Sequence, residues 1–453
     1  NPGSDVPLAP EWVEGARNFA NKLWNLGRFV LSSIPEGTKP EDLRAFYPTS
    51  VLVTGYDIIF FWVARMMMFG CHFQPPTPFR VVAIHGMVRD AQGKKMSKSF
   101  GNVIDPLELM DRYGTDALRF ALVRGANPGS DVPLAPEWVE GARNFANKLW
   151  NLGRFVLSSI PEGTKPQDLP AADQRSLGDR WLLSRLERTR AEVTSAYDAY
   201  DPAEAARLLH AFAWSELADW AVELAKPRLA AGGEDARRAG AVLAYALDVT
   251  LRLLHPVMPF VTEELGRALE DVDTITLGPW PAERHEDLDE AAEADMADLQ
   301  EVIAAVRRFR AERAVPPSRQ PRLTITARGG HQAELLRAER DSIRRLARLE
   351  SVEVGPPPDD AGPTAKVLAA GAELHLPLAG LLDLDEELAR LEKERDGLDA
   401  EARRAEAKLA NADFVAKAPP AVVDKTRVRL AEVEAARAKV VERIREVTAT
   451  TGG

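Results

Sequence analysis

The run Lys95-Met96-Ser97-Lys98-Ser99, preceded by Gly93 and Lys94 and followed by Gly101, is the sharpest chemical signal in the chain. Flexible ammonium groups on a loop can meet the negative charge that grows on a triphosphate as its α-phosphate is attacked and pyrophosphate departs. The two glycines let such a loop close and reopen. An ordinary basic surface loop is the plain alternative. The setting favours phosphate chemistry, because the run lies just beyond a strand-helix-strand pattern.

That pattern has a predicted strand at Ser50 to Thr54, a helix from Asp57 to Gly70 and a strand at Arg80 to His85. The alternation is a βαβ unit, the building block of a parallel nucleotide-binding sheet. Gly55 ends the first strand and Gly86 follows the second. Ligands of parallel sheets bind at the carboxyl ends of the strands, so both glycines should border a crevice.

The chain has 453 residues, too many for one core, and three or four domains are expected. Its 45% hydrophobic and 28% charged residues are those of a folded, soluble protein. No apolar run reaches the ~18 residues that would span a bilayer, since Arg65 interrupts Ile58 to Met68. A single cysteine, Cys71, excludes internal disulfides and thiolate zinc clusters, which fits a reducing, cytoplasmic setting. The net charge of -11 argues against a globally basic nucleic-acid binder, so any contact with RNA must use local patches.

Residues Asn1 through Pro40 recur without one change as Asn127 through Pro166. Structural repeats drift apart and come in at least three copies, so a recent duplication, recombination or assembly error explains this one better. A deliberate second copy of an RNA-binding helix is the functional alternative. Each copy carries one amphipathic helix, Glu11 to Ser32 and Glu137 to Ser158, with Trp12, Phe19, Leu23 and Leu26 spaced for one face in the first.

From Asn127 to about Asp273 the sequence predicts helix after helix without strands. Helices start at Glu137, at Ser176, after the capping Asp201, and at Glu234, and Pro256 and Pro259 break the last. An antiparallel helical bundle follows. From Thr274 to Pro377 a small α+β domain is expected, with a helix at Asp295 to Ala314. Its strands are placed at Leu323 to Thr326, Val352 to Val354 and Glu373 to Leu376, with a loose stretch at Gly355 to Pro363. In the tail, Leu384, Leu388, Leu391, Leu398, Ala402, Ala405 and Leu409 keep steps of four and three or multiples of them, with Arg395 filling one seam position. After Pro419 and Pro420 the rhythm returns through Val423, Leu430, Val433, Val440, Ile444 and Val447. Two such helices make an antiparallel coiled-coil hairpin with arms of roughly 40 Å. The expected division is therefore a duplicated helix at 1–40, half a nucleotide-binding sheet at 41–126, a bundle at 127–273, a small domain at 274–377 and an arm at 378–453.

The Lys-Met-Ser-Lys-Ser loop resembles the signature of class I aminoacyl-tRNA synthetases. Val53-Thr54-Gly55-Tyr56-Asp57-Ile58-Ile59-Phe60-Phe61-Trp62 is similar to the valyl-tRNA synthetase family in particular. So are His85-Gly86-Met87-Val88-Arg89-Asp90, Asp219-Trp220 with Glu223-Leu224-Ala225-Lys226-Pro227, and His255-Pro256-Val257-Met258-Pro259-Phe260. The similarity runs from Glu41 to Val447. It implies a partial Rossmann-like catalytic domain, a helical anticodon-binding bundle and a tRNA-contacting arm. The implied activity is ATP-dependent activation of valine, with Mg2+ accompanying ATP, and transfer of the valyl group to tRNA(Val). No protein-bound zinc or other metal, no membrane and a monomeric chain are expected.

Residue by residue, the resemblance implies that Lys98 binds ATP with Lys95 assisting, as the catalytic pair. Met96, Ser97 and Ser99 complete the ATP loop, and His85 and Gly86 lie beside the adenylate. Ile58 and Trp62, one helical turn apart, would line the valine pocket, although from the residues alone plain core packing on an apolar helix is the preferred reading. One methylene in such a pocket discriminates by only about 1–3 kcal/mol. For tRNA, the basic run Arg307, Arg308, Arg310, Arg313, Arg319 and Arg322, and Lys425, Arg427 and Arg429 in the arm, supply the local positive charge that phosphate contacts need. Charge runs on helices are otherwise solvated faces.

The chain departs from the family at several points. None of its seven histidines stands in the paired-histidine motif of the first half of the nucleotide fold, and neither that half nor the inserted editing domain is seen. Ala221 stands where an aromatic residue is expected. Half a parallel sheet leaves an incomplete phosphate cradle, so this chain alone is expected to form valyl-adenylate poorly or not at all. A non-catalytic tRNA-binding remnant or chimeric product is one alternative. An isoleucyl or leucyl relative is another, disfavoured by the lone cysteine, the hairpin and the Tyr56 to Trp62 segment.

Overall fold

A computed structural model describes residues 47–73, 77–126, 129–313, 315–356, 364–378, 384–411 and 420–451. The first copy of the repeat, with Trp12, Phe19, Leu23 and Leu26, lies outside the described residues. So do most of the stretch expected to be loose and the turn at Pro419. Two compact units divide the chain, Asn1–Asn144 with Thr194–Arg207, and Phe145–Val193 with Leu208–Gly453.

In the first unit, strands β1 (Thr49–Gly55) and β2 (Phe79–His85) pair in parallel, with Thr49 opposite Phe79 and Gly55 opposite His85. The connection starts with a 3-10 turn (Tyr56–Ile58) and a wide π turn (Ile59–Val63) before settling into α1 (Ala64–Phe73). The expected βαβ unit is therefore present. Its helical connection is almost wholly apolar, yet from Tyr56 to Phe73 only Val63 is buried.

A second parallel pair follows, β3 (Val88–Arg89) with β4 (Val132–Pro133), after helices α2 (Pro106–Tyr113) and α3 (Thr115–Gly125). Strand β4 corrects the expectation that no strand follows Asn127. It carries no alternating pattern, and polar anchoring at Asp131 fixes it where periodicity cannot announce it.

The helices of the second unit begin where local chemistry allows. At α5 (Leu177–Asp198), Ser176 and Asp179 cap each other reciprocally: the Ser176 N–H donates to Oδ2 of Asp179 (3.0 Å) and the Asp179 N–H to Oγ of Ser176 (3.2 Å). Helix α8 (Gly233–Leu254) stops ahead of Pro256, and Pro259 opens α9 (Pro259–Glu270) in its first turn, where its missing N–H costs nothing. Gly153, in α4 (Pro136–Ser159), is where Leu265 packs against the helix. A Cβ there would stand 2.6 Å from Cδ2 of Leu265.

Between α6 (Pro202–Ala211) and α7 (Val222–Ala231) the helix widens into a π segment, Phe212–Ala221. Pro227 sits inside α7, so the Glu223 carbonyl loses its usual donor four residues on. The Arg345 guanidinium donates to that carbonyl instead.

Helix α10 (Glu290–Glu312) starts five residues earlier than the sequence suggests, because Asp289 caps it by accepting from the Ala292 N–H (2.9 Å). It is tied to α5 by Arg180 with Asp289 (2.7 Å) and Arg188 with Glu293 (2.7 Å). Beyond it, β5 (Arg322–Thr326), α11 (Gly330–Ala338), α12 (Arg340–Leu346), β6 (Ser351–Val354), β7 (Thr364–Ala369) and β8 (Ala372–Pro377) build a mixed four-stranded sheet in the order β6-β5-β8-β7. Strand β7 is an addition to the three expected strands. Its hairpin turn, Ala370-Gly371, has both residues at positive φ, but alanine is not the residue that advertises such a turn.

Helices α13 (Leu384–Ala410) and α14 (Pro420–Thr451) run in opposite directions, as the ion pairs Arg429 with Glu401 (2.9 Å) and Arg437 with Asp399 (2.5 Å) require. Leu391 and Val440 are buried between them, with Leu398 and Ile444 against that pair.

Candidate nucleotide site

The carboxyl ends of β1 and β2 bring Gly55 and His85 side by side. Gly86 follows because nothing larger fits: a Cβ there would lie 1.8 Å from the Ser130 carbonyl oxygen. The segment that presses on it is clamped by Asp131. One carboxylate oxygen accepts from the Met87 N–H (2.8 Å), and the other accepts from the Arg89 guanidinium. These donors hold the Asp131 carboxyl below its ordinary range, the Met87 amide most strongly.

The lysine loop hangs from the same strand. Arg89 and Lys95 form an antiparallel bridge, which brings the start of the loop, ten residues beyond His85, back beside the strand. Asp90 is the hub. Its Oδ1 accepts from the N–H groups of Lys94 (2.7 Å) and Gln92 (3.1 Å), and its Oδ2 accepts from the Asn102 side-chain amide (2.8 Å). Asn102 reaches back into the loop, donating to the Lys95 carbonyl (3.2 Å) and accepting from the Ser97 N–H (3.0 Å). The Asn102 amide and the Lys94 N–H pull the Asp90 carboxyl below its usual range. Gly93 and Gly101, both at positive φ, sit at the two bends.

Within the loop, Lys95 and Ser99 are exposed and Met96 and Ser97 half-buried. The Ser97 and Ser99 hydroxyls lie 3.0 Å apart, and Lys94 projects over the Phe100 ring at 4.0 Å. Of Lys98 only the backbone, in the 3-10 turn Lys98–Phe100, is described. His85 is exposed, with Nδ1 2.9 Å from the Gly86 carbonyl oxygen. Ile58 and Trp62 are exposed in the turns that follow β1, Trp62 at 60%. Sequence reasoning missed Asp90, Asn102, Arg89 and Asp131 as positioning groups. The available signal was Asp90 ahead of Gln92-Gly93, an acidic residue placed to accept from the backbone of a tight turn.

The arginine and lysine residues expected to meet RNA fall into three environments. Arg308 and Lys425 are exposed. Arg307 donates to the Leu346 carbonyl (2.9 Å) and lies over the Trp220 ring, while Arg427 and Arg429 engage Asp424 (3.4 Å) and Glu401. Arg310 is buried, donating to the carbonyls of Arg348 (2.8 Å) and Pro316 (3.3 Å). Among the described residues no group of three or more His, Cys, Asp or Glu could hold a metal ion, and no helix is long and apolar enough to cross a membrane.

Three family profiles match the sequence: tRNA synthetases class I (I, L, M and V) over 25–135, the anticodon-binding domain of tRNA ligase over 179–326, and the valyl tRNA synthetase tRNA binding arm over 383–448. The valine–tRNA ligase of Streptomyces avermitilis is 47% identical over 438 residues, 96% of this chain and 48% of that protein. That of Bacillus subtilis is 42% identical over 431 residues, 95% of this chain and 48% of the relative. The chain is similar to valine–tRNA ligases along about 95% of its own length. It spans about half the length of the family members it matches. A solved structure, the LeuRS-tRNA-LeuAMS ternary complex of Agrobacterium radiobacter K84, overlays at a TM-score of 0.48 with 20% identity, over 59% of this chain and 32% of that one. The class I profile of the synthetase family ends at residue 135, so it takes in the lysine loop and the Asp131 clamp together.

Proposed function

We propose that this chain is the part of a valine–tRNA ligase that carries the ATP-phosphate loop and the RNA-holding segments. The observation that carries the reading is 42–47% identity to valine–tRNA ligases along about 95% of the chain. In this reading a valine carboxylate oxygen attacks the α-phosphorus of ATP, the bond to the β-phosphate oxygen breaks and pyrophosphate leaves. A terminal ribose hydroxyl of tRNA(Val) then attacks the valyl carbonyl and AMP leaves. Lys95 and Lys98 face the charge that accumulates on the departing pyrophosphate, and Met96, Ser97 and Ser99 shape the loop around it. Mg2+ arrives with the triphosphate. His85 and Gly86 border the adenylate, and Ile58 and Trp62 form one wall of the valine pocket.

The finer architecture belongs to the same proposal: half of a Rossmann-like domain at 41–126, an anticodon-binding bundle at 127–273, a small α+β domain at 274–377 and a coiled-coil tRNA arm at 378–453. We take Arg307, Arg308, Lys425, Arg427 and Arg429 as RNA-facing, with Arg310 acting through its neighbours. The protein is read as a cytoplasmic monomer.

A second reading, RNA binding without adenylation, is favoured by the exposure of Trp62 and Phe60, since a pocket wall open to solvent discriminates nothing. Valine-dependent ATP–pyrophosphate exchange separates the two. The ligase reading expects exchange when the chain is mixed with the complementary half of a relative, and its abolition by Lys98→Ala. Absence of exchange under those conditions, with tRNA binding intact, leaves the second reading standing.

A further inference from the structure

The connection between β1 and β2 presents an apolar stripe. Ile58, Trp62, Met66, Phe69 and Phe73 recur at steps of four, four, three and four, the spacing of one helical face. All five are exposed, Trp62 at 60% and Phe73 at 70%, and the Phe69 and Phe73 rings stack with centroids 6.0 Å apart. Phe60, Met67 and Met68 fall outside this spacing. A contiguous apolar face on a soluble protein marks a surface that takes a partner.

The same chain carries a second apolar face whose natural seat is taken. In the copy of the repeat that lies in α4, Phe145, Leu149, Leu152 and Val156 are buried, none more than 6% exposed. Their twins in the first copy are Phe19, Leu23, Leu26 and Val30, identical in type and spacing. The seat that buries this face is built from the second unit, where Leu265 packs against Gly153, and α4 fills it. The first copy therefore has the same drive to leave water and a different place to satisfy it.

Connectivity names that place. The segment 1–46 joins the described chain at Tyr47, and Tyr47 lies on α1 itself: a Cβ at Gly70 would stand 2.9 Å from its hydroxyl oxygen. Between Ser32 and Tyr47 lie residues 33–46, a tether that reaches at most ~50 Å at about 3.5 Å per residue. A short tether holds its cargo at an effective concentration on the order of millimolar, far above that of a second copy in dilute solution.

We propose that residues 11–32 of the same chain dock on the stripe, with Phe19, Leu23 and Leu26 against Trp62, Met66 and Phe69. The first copy of the repeat is then an internal cap. It covers the wall assigned above to the valine pocket, so a complementary half of the ligase has to displace it. The docking itself depends only on the two apolar faces and stands whether or not the chain takes part in adenylation.

The test is Leu23→Asp with Leu26→Asp in the full 453-residue chain, which leaves Leu149 and Leu152 of the second copy in place. Hydroxyl-radical footprinting reads the side chains one by one, with light scattering for mass and thermal unfolding as a check on the fold. The expected result is that Trp62, Met66, Phe69 and Phe73 become about fivefold more reactive in the double variant, while Phe60, Met67 and Met68 do not change. Both proteins should be monomeric with the same Tm. Reciprocally, Phe69→Asp should speed tryptic cleavage at Arg17, Lys22 or Arg28 several-fold, read from the mass of the large fragment because the two copies give identical small peptides. Equal reactivity of the stripe in wild type and double variant overturns the proposal, whatever the level. So does protection of the stripe that disappears on dilution together with a dimer mass, since the occupant is then a second copy. Loss of the cap with no pyrophosphate exchange in the mixed halves would leave the docking intact and count against the ligase reading alone.

Discussion

Two apolar helical stretches of this chain have opposite fates. In α8 the aliphatic residues from Ala236 to Leu254 are buried almost without interruption, and Leu247 is 0% exposed. From Ile58 to Phe73 the side chains are at least as hydrophobic, yet Phe60 is 75% exposed and only Val63 is buried. Hydrophobic composition alone does not make a core. Burial requires facing surfaces, and the second unit supplies α9 and the π segment to α8, whereas among the described residues β1 and β2 form a two-stranded sheet.

The largest effect that can break this contrast is a pair of truncations. Leu247→Ala should lower stability by about 2–5 kcal/mol, because the cavity it leaves cannot collapse. Phe60→Ser should stay within about 0.5 kcal/mol in the same unfolding assay. Equal losses would mean that the first stretch is covered after all.

The buried side of the contrast is sharpened by Asp248. Burial pushes its carboxyl up to about 6, although Arg252 contacts both oxygens at 2.9 Å. A group protonated more readily in the folded state contributes stability below its unfolded value and loses it as pH rises through its folded one. Relative to Asp248→Asn, the wild type should therefore gain about 2–3 kcal/mol between pH 7 and pH 4. A difference that is flat over that window would show the carboxyl to be ionised throughout.

A smaller effect is expected where α7 meets α12. Arg345→Met should cost about 1–3 kcal/mol by leaving the Glu223 carbonyl without a donor. Pro227→Ala supplies a backbone N–H to that carbonyl, so the same change should cost less in the Pro227→Ala background. Additive losses in this double-mutant cycle would refute the exchange of donors.

The smallest effect on global stability belongs to the lysine loop. Asp90→Asn should barely move the unfolding midpoint but should speed tryptic cleavage at Lys94, Lys95 or Lys98 several-fold, because the loop opens more often. Unchanged cleavage would remove Asp90 from its role as hub.

What the sequence revealed and what it hid follow from the range of the interactions. Strands β1 and β2, the start of α5 and the stop of α8 depend on neighbours within a few residues, so strand propensity, the Ser176–Asp179 cap and Pro256 announce them. The opposed helices at the end of the chain are legible from the Leu391 and Val440 spacing. Strand β4 depends on Asp131 reaching Met87 and Arg89 some forty positions away, a distance that no local pattern encodes. At the candidate site the lysines were legible because their chemistry is carried by type and spacing. Asp90 and Asn102 were not, since an acid and an amide look like ordinary loop residues until the backbone folds between them. Arg310 was legible as a cation, but its burial was not.

The tie between Asp90 and Asn102 closes a ring over residues twelve positions apart. The same two side chains also grip the backbone of Lys94, Lys95 and Ser97 inside the ring, so the neck sets the length of the lysine segment as well as its position.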